Sequence, residues 1–213
     1  MWAASGTEVL LTYDQGKFGY GDGSPAGQAV LQNPGAFAAV RRATSRHPGD
    51  ARMDLVVYDR AGHPLVNVVK HRGGAGPQRV DVTTSSGGPL GELVKARGLV
   101  RKTYQATDAW RRPVGEIREQ KPTRAEPHFW AVLHDHDGTA VGRITHRTHI
   151  RPGARMVGLA RNHHTVWELQ LGATAAESLR GLVVAFVTVY GAITGLDVRP
   201  PGVGDIAGTV LPD

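Results

Sequence analysis

The segment from His134 to Gly138 reads HDHDG and holds residue types that bind metal ions. If it lies on a strand, His134 and His136 alternate onto one face, where two imidazoles can share an ion. The flanking residues do not complete such a site. A hydrolase pattern of the HxHxD type needs an acid where Gly138 stands, and a cupin-like pattern needs a Glu where Thr139 and Ala140 stand. Asp135 and Asp137 alone are too few for a calcium loop, which takes repeated acidic ligands and a terminal Glu. The segment therefore reads as a polar hairpin tip. His146, His149, His163 and His164 show no ligand spacing. Ser85 and Ser86 have no identifiable general base, and there is no nucleophile elbow, P-loop or dinucleotide fingerprint. The expectation is a non-enzymatic protein with no metal and no cofactor, and no small-molecule substrate is indicated.

Basic residues are the better candidates. Trp110, Arg111 and Arg112 stand together at an expected hairpin tip, where an indole and two guanidinium groups can engage a headgroup interface. Arg143 and Arg147 alternate onto one strand face, with Arg151 and Arg155 beyond. Formal net charge is +6, but it is unevenly spread: residues 95–161 hold 14 Lys or Arg against 6 Asp or Glu, and the rest of the chain holds 11 against 13. A regional basic excess attracts phosphate, on lipid or on nucleic acid.

The elements that would position these residues are legible as an internal repeat. LVVYDRAGHPLVNV from Leu55, VDVTTSSGGPLGEL from Val80, YQATDAWRRPVGEI from Tyr104 and AVLHDHDGTAVGRI from Ala131 align without gaps. Apolar residues recur two and four positions before a turn column of Asp59, Thr84, Asp108 and Asp135, and a spacing of two places them on one strand face. Gly62, Gly87 and Gly138 supply positive φ at the turn. Arg111 stands in that column in the third copy, so a different turn geometry is expected there. Each copy predicts a β-hairpin, giving eight strands over 54–171 together with a fifth hairpin in RMVGLAR and HTVWELQL. Two more strands are read in TEVLLTY and around AFAAVRR, with Gly21 to Asp50 as a loop or insertion, for about twelve in one domain over 1–213. Glycine at 28 positions and proline at 13 suit a turn-rich β chain.

Beyond the last strand, Thr174 to Glu177 form a capping box, and the sequence is uncharged from Gly181 to Leu196. A helix over about 175–194, apolar on every face, belongs inside protein or lipid. Its uncharged run of 16 residues is shorter than the roughly 20 that cross a bilayer. A barrel interior suits it.

Tandem hairpins with this turn, a closing strand and a C-terminal apolar helix resemble the tubby C-terminal-like superfamily in its LURP-one-related and phospholipid-scramblase-like branch. The resemblance covers residues 54–196. It implies a twelve-stranded antiparallel barrel enclosing the helix. It also implies a partner bearing phosphate: anionic phospholipid or phosphoinositide first, with a scramblase whose helix enters the membrane and a nucleic-acid-binding regulator as alternatives. Scramblase members carry an acidic calcium segment before the helix, where this chain reads LQLGATAAES, so calcium dependence is not expected. There is no Cys to carry a lipid anchor. With no basic and apolar leader in MWAASGTEVLLTYD, the location expected is cytoplasmic, peripheral at the inner membrane face.

Overall fold

A computed structural model describes residues 8–14, 16–32, 52–71, 79–96, 102–121, 123–126, 129–150 and 163–194. Twelve antiparallel strands form one closed ring around a C-terminal helix. The strands are β1 (Val9–Asp14), β2 (Lys17–Tyr20), β3 (Pro25–Leu31), β4 (Met53–Asp59), β5 (Pro64–Lys70) and β6 (Arg79–Thr84). They continue with β7 (Pro89–Lys95), β8 (Thr103–Asp108), β9 (Pro113–Glu119), β10 (Phe129–Asp135), β11 (Ala140–Ile150) and β12 (His163–Leu171), and α1 (Glu177–Thr194) follows. Each strand pairs with its sequence neighbours, and β12 pairs with β1 to close the ring.

The four repeats are the hairpins β4–β5, β6–β7, β8–β9 and β10–β11. The count of twelve agrees with the sequence reading, but its distribution differs. Residues 9–31 supply three strands, and β3 lies within the stretch read as a loop. AFAAVRR and RMVGLAR lie outside the described residues, and β12 pairs with β11 and β1 rather than with the segment before it.

The register explains the repeat's apolar columns. Val68 lies between Leu55 and Val82, Leu93 between Val80 and Ala106, Ile117 between Tyr104 and Leu133, and Ile144 between Ala131 and Leu169. All are buried, because a period of two sends the same register positions inward on every strand. In each hairpin the pairing slips by one residue just before the turn, between Val57 and Tyr58, Val82 and Thr83, Ala106 and Thr107, and Leu133 and His134. The extra residue, Leu65, Leu90, Val114 or Val141, lies on the second strand of each hairpin, so the bulge twists that strand as it leaves the turn. A Cβ at Gly115 would strike the carbonyl oxygen of His134, and one at Gly142 would lie 2.5 Å from that of Gln170. The glycine column thus marks close passage of the neighbouring strand.

Helix α1 fills the ring. It approaches β4 to β9 and β12, and every described side chain from Leu182 to Val189 is buried. Phe186 packs edge-on to Tyr104 with ring centroids 4.7 Å apart and also meets Trp130 at 5.6 Å. Thr188, the polar interruption in this stretch, donates its hydroxyl to the Val184 carbonyl at 2.9 Å. Burial of each large apolar side chain contributes about 1.5–3 kcal/mol, so the helix is the core on which the wall condenses.

The helix entry corrects one sequence expectation. The first helical bond runs from the Arg180 N–H to the Ala176 carbonyl at 3.0 Å, so Ala176 is the N-cap and Thr174 lies outside, in the preceding turn.

Candidate functional site at the two ends of the barrel

Antiparallel order divides the molecule into two unlike ends. The turns of the four repeats, the β2–β3 turn and the helix entry lie at one end, here called the turn end. The β3–β4, β5–β6, β7–β8, β9–β10 and β11–β12 connections lie at the other, the linker end, where α1 finishes. The β1–β2 turn also lies there.

Trp110, Arg111 and Arg112 belong to the turn end. The Asp108 carboxylate builds their hairpin tip, accepting from the backbone N–H groups of Trp110 and Arg112 at 2.9 Å each and from Arg112 Nε at 2.8 Å. Burial alone would raise the Asp108 carboxyl, but these hydrogen bonds and the Arg112 charge outweigh it and hold it below its usual value. Arg112 also lies over the indole, 4.8 Å from the ring centre, and Trp110 remains 75% exposed. Arg111 overturns the expectation of a distinct turn. At φ 62° it takes the left-handed conformation that Gly62, Gly87 and Gly138 take at 84°, 86° and 81°. Its N–H bonds the Asp108 carbonyl at 2.9 Å, as the N–H of Gly62 bonds that of Asp59 and Gly138 that of Asp135, both at 3.1 Å. The third turn therefore has the geometry of the others and bears strain in place of glycine.

The other basic candidates lie on the outer wall. Arg143 approaches Glu126 at 3.8 Å, and Arg147 approaches Glu168 at 3.5 Å. Arg147 pairs with Val166, toward the linker end, whereas Arg143 pairs with Gln170, next to the last residue of β12 and toward the turn end. Arg151 and Arg155 lie outside the described residues. The seven candidates thus do not form one patch: three crown the turn end, and the strand pair runs down the wall.

The histidine pair also separates. His134 is in β10 beside Glu116 at 3.9 Å, but His136 is in the turn beyond it, 3.3 Å from Asp137, so the two do not share a strand face. The Asp135 carboxylate is occupied by the N–H groups of Asp137 and Thr139 at 3.0 and 2.8 Å. Among the described residues no three His, Cys, Asp or Glu gather as metal ligands. Ser86 exchanges a hydrogen bond with Thr84 at 2.9 Å within its own turn.

Residues the sequence reading did not single out complete the linker end. Lys95 ends β7, Lys102 precedes β8, and Lys121 and Arg124 lie in the β9–β10 connection. Lys102 reaches Glu119 at 3.4 Å, whereas Lys95, Lys121 and Arg124 make no ion pair among the described residues. In the sequence, the segments 33–51, 72–78, 97–101 and 151–162, which lie outside the described residues, hold nine Arg and a single acid, Asp50. The signal was present in the sequence as cations between strands rather than on them. Helix α1 ends without a basic residue in its last turn, and its sequence is uncharged from Gly181 to Thr194.

No family model, curated protein or solved structure matches the chain.

Proposed function

We propose that the chain is a non-enzymatic binding barrel that docks its linker end on anionic phospholipid. The observation that carries this reading is the coincidence, at one end, of the exposed Lys102, Lys121 and Arg124 with the end of a helix whose sequence is uncharged from Gly181 to Thr194. Basic side chains around an apolar centre match a lipid surface, where phosphate lies above hydrocarbon. Nucleic acid offers no apolar layer for the centre. The resemblance of the hairpin repeat and helix to the tubby-like and scramblase-like proteins supports the same choice, and points to phosphoinositide headgroups among the anionic lipids. A scramblase whose helix crosses the bilayer is disfavoured, because among the described residues no helix is long and apolar enough to cross a membrane. A cytoplasmic location, peripheral at the inner membrane face, accompanies this proposal.

Co-sedimentation with phosphatidylcholine vesicles, with and without phosphatidylserine or a phosphoinositide, tests it. Binding is expected only with the anionic lipid. Lys121→Glu with Arg124→Glu should weaken it, since each basic residue near such a surface contributes about 1 kcal/mol. Trp110→Ala, at the far end, should leave it unchanged. Failure to bind anionic vesicles, together with salt-sensitive retention on duplex DNA, would replace this reading with the nucleic-acid one.

A further inference from the structure

Lipid docking at the linker end leaves the Trp110 turn without a role, yet that turn departs from its three sisters at a cost to the fold. Arg111 holds at φ 62° a conformation that glycine supplies in the others. Trp110, 75% exposed, stands where they carry Ala61, Ser86 and Asp137. Strain kept in one copy of a repeat points to a contact that this copy makes.

The charges of the turn end show which contact. Asp59, Asp108 and Asp135 bond N–H groups of their own turns, Arg112 is matched by Asp108, and Glu8 bonds Gln170. The tips are left to present Asp22, Arg60, Arg111 and Asp137, all exposed. Hydrogen bonds from the hydroxyl and N–H of Ser24 hold the Asp22 carboxyl below its usual value, so it is charged. Going round the ring, the β2–β3, β4–β5, β6–β7, β8–β9 and β10–β11 turns follow one another, and the end of β12 with the start of β1 takes the sixth place. Arg111 therefore neighbours Asp137, and diametrically opposite, Arg60 neighbours Asp22. A line across the ring between the members of each pair has a basic tip on one side and an acidic tip on the other, at both of its ends.

We infer that two copies of this chain dock turn end to turn end about a two-fold axis along that line. Rotation about it sets Arg111 against Asp137 and Arg60 against Asp22 of the other copy, and each pair is made twice, as in any isologous contact. The same rotation brings the Trp110 turn over His136 of the other copy, and turns Ser85 and Ser86 toward Glu8 and Glu177, hydroxyl toward carboxylate. A second copy fits this face better than a lipid surface or nucleic acid, because a uniform polyanion would meet Asp22 and Asp137. The linker end takes no part, so the inference does not depend on lipid binding. A ring of twelve strands at about 4.8 Å spacing and about 40° tilt is roughly 24 Å across at the backbone. Its end offers on the order of 500 Å² per partner, less than the ~800 Å² of a standard interface. The dimer is accordingly weak, concentration-dependent and dissolved by salt, and Trp110 is the residue on which it concentrates its energy.

Sedimentation velocity on the full chain at low and high salt tests this. Wild-type protein in low salt should pass from monomer to dimer as concentration rises, and no further, and should return to monomer in high salt. Arg111→Asp, in a conformation that aspartate tolerates, and Asp137→Arg should each weaken the dimer about tenfold or more, because like charges then oppose each other twice. The double variant reverses both pairs and should dimerise as wild type does. Trp110→Ala should also weaken the dimer, and every variant should melt cooperatively. A wild-type protein that remains monomeric in low salt at every concentration overturns the inference. So does growth beyond the dimer, a single variant that dimerises as tightly as wild type, or a folded double variant that stays monomeric.

Discussion

The Arg180 guanidinium donates to the carbonyl oxygen of Gly172 at 2.7 Å, eight residues back along the chain, from a side chain that is almost wholly buried. It also donates to the carbonyls of Ala173 at 3.3 Å and Ala175 at 2.9 Å. The turn between β12 and α1 is thus wrapped around a cation that belongs to the helix. This accounts for an arginine in a first helical turn, where the helix dipole disfavours positive charge.

Replacing Arg180 by Met keeps the volume and removes the guanidinium from those carbonyls, of which Gly172 keeps the Ala175 N–H at 3.1 Å. Hydrogen bonds from a charged group contribute about 1.5–3 kcal/mol. Arg180→Met is expected to lower stability by about 3 kcal/mol in urea unfolding, with Arg180→Lys intermediate. An unchanged midpoint would show that the turn holds itself without the guanidinium.

Arg111 offers the opposite case. A residue with a Cβ in the left-handed region carries about 1–2 kcal/mol of strain, which glycine does not. Arg111→Gly should therefore stabilise the fold by up to about 1 kcal/mol, the remainder going to the greater freedom of glycine in the unfolded chain. Chemical denaturation reads this directly. If stability falls instead, the arginine side chain makes a contact worth more than its strain.

Val184 is 1% exposed at the centre of α1. Val184→Asp buries an unpaired carboxylate against the inner wall and should abolish cooperative folding, as should truncation after Ala173. A truncated chain with β-sheet circular dichroism and a cooperative melt would show that the wall closes without its core.

On the outer wall, Asp81 accepts from His71 Nε2 and Arg79 Nε, each at 2.6 Å. Burial works to raise the Asp81 carboxyl, but those two hydrogen bonds outweigh it and hold it below its usual 3.8. A carboxyl lowered on folding stabilises the protein fully above its unfolded value and loses that contribution as pH falls through its folded value. Melting temperature should therefore drop on acidification below about pH 4, and Asp81→Asn should reduce that drop. An acid limb as steep in the variant as in wild type would assign it to other carboxylates.

The wall of the barrel was legible because a period of two is imposed by the pleat, and four copies of one hairpin repeat the evidence. The N-terminal strands were harder to read: β2 has only four residues, and β3, PAGQAVL, carries a proline and a glycine that resemble a loop. Arg111 was misread because residue type reports what a turn prefers, whereas the Asp108 carboxylate and the bulge at Val114 beyond the turn impose it even on an arginine. Thr174 was misread as a cap because its spacing to Glu177 suits one, while Arg180 fixes the entry from inside. For the candidate site, strand alternation grouped the Arg residues by wall face. Which end each occupies depends on strand direction, and the cations between strands became a group only when the ring order brought their connections to one end.

The order of elements along the chain has a consequence for how the barrel is made. Its hairpins are local, and each can form within about 20 residues of sequence. Ring closure and filling are not local: β12 meets β1 in pairs such as Leu169 with Leu11, and α1, which fills the interior, follows all twelve strands. During synthesis eleven strands emerge before the closing strand, and all twelve before the helix that their inward faces require. The nascent wall therefore presents two open edges until β12 emerges and an unfilled apolar surface until α1 does. Its burial is a single late event, and the period before it is when the chain is most exposed to aggregation and most in need of a chaperone.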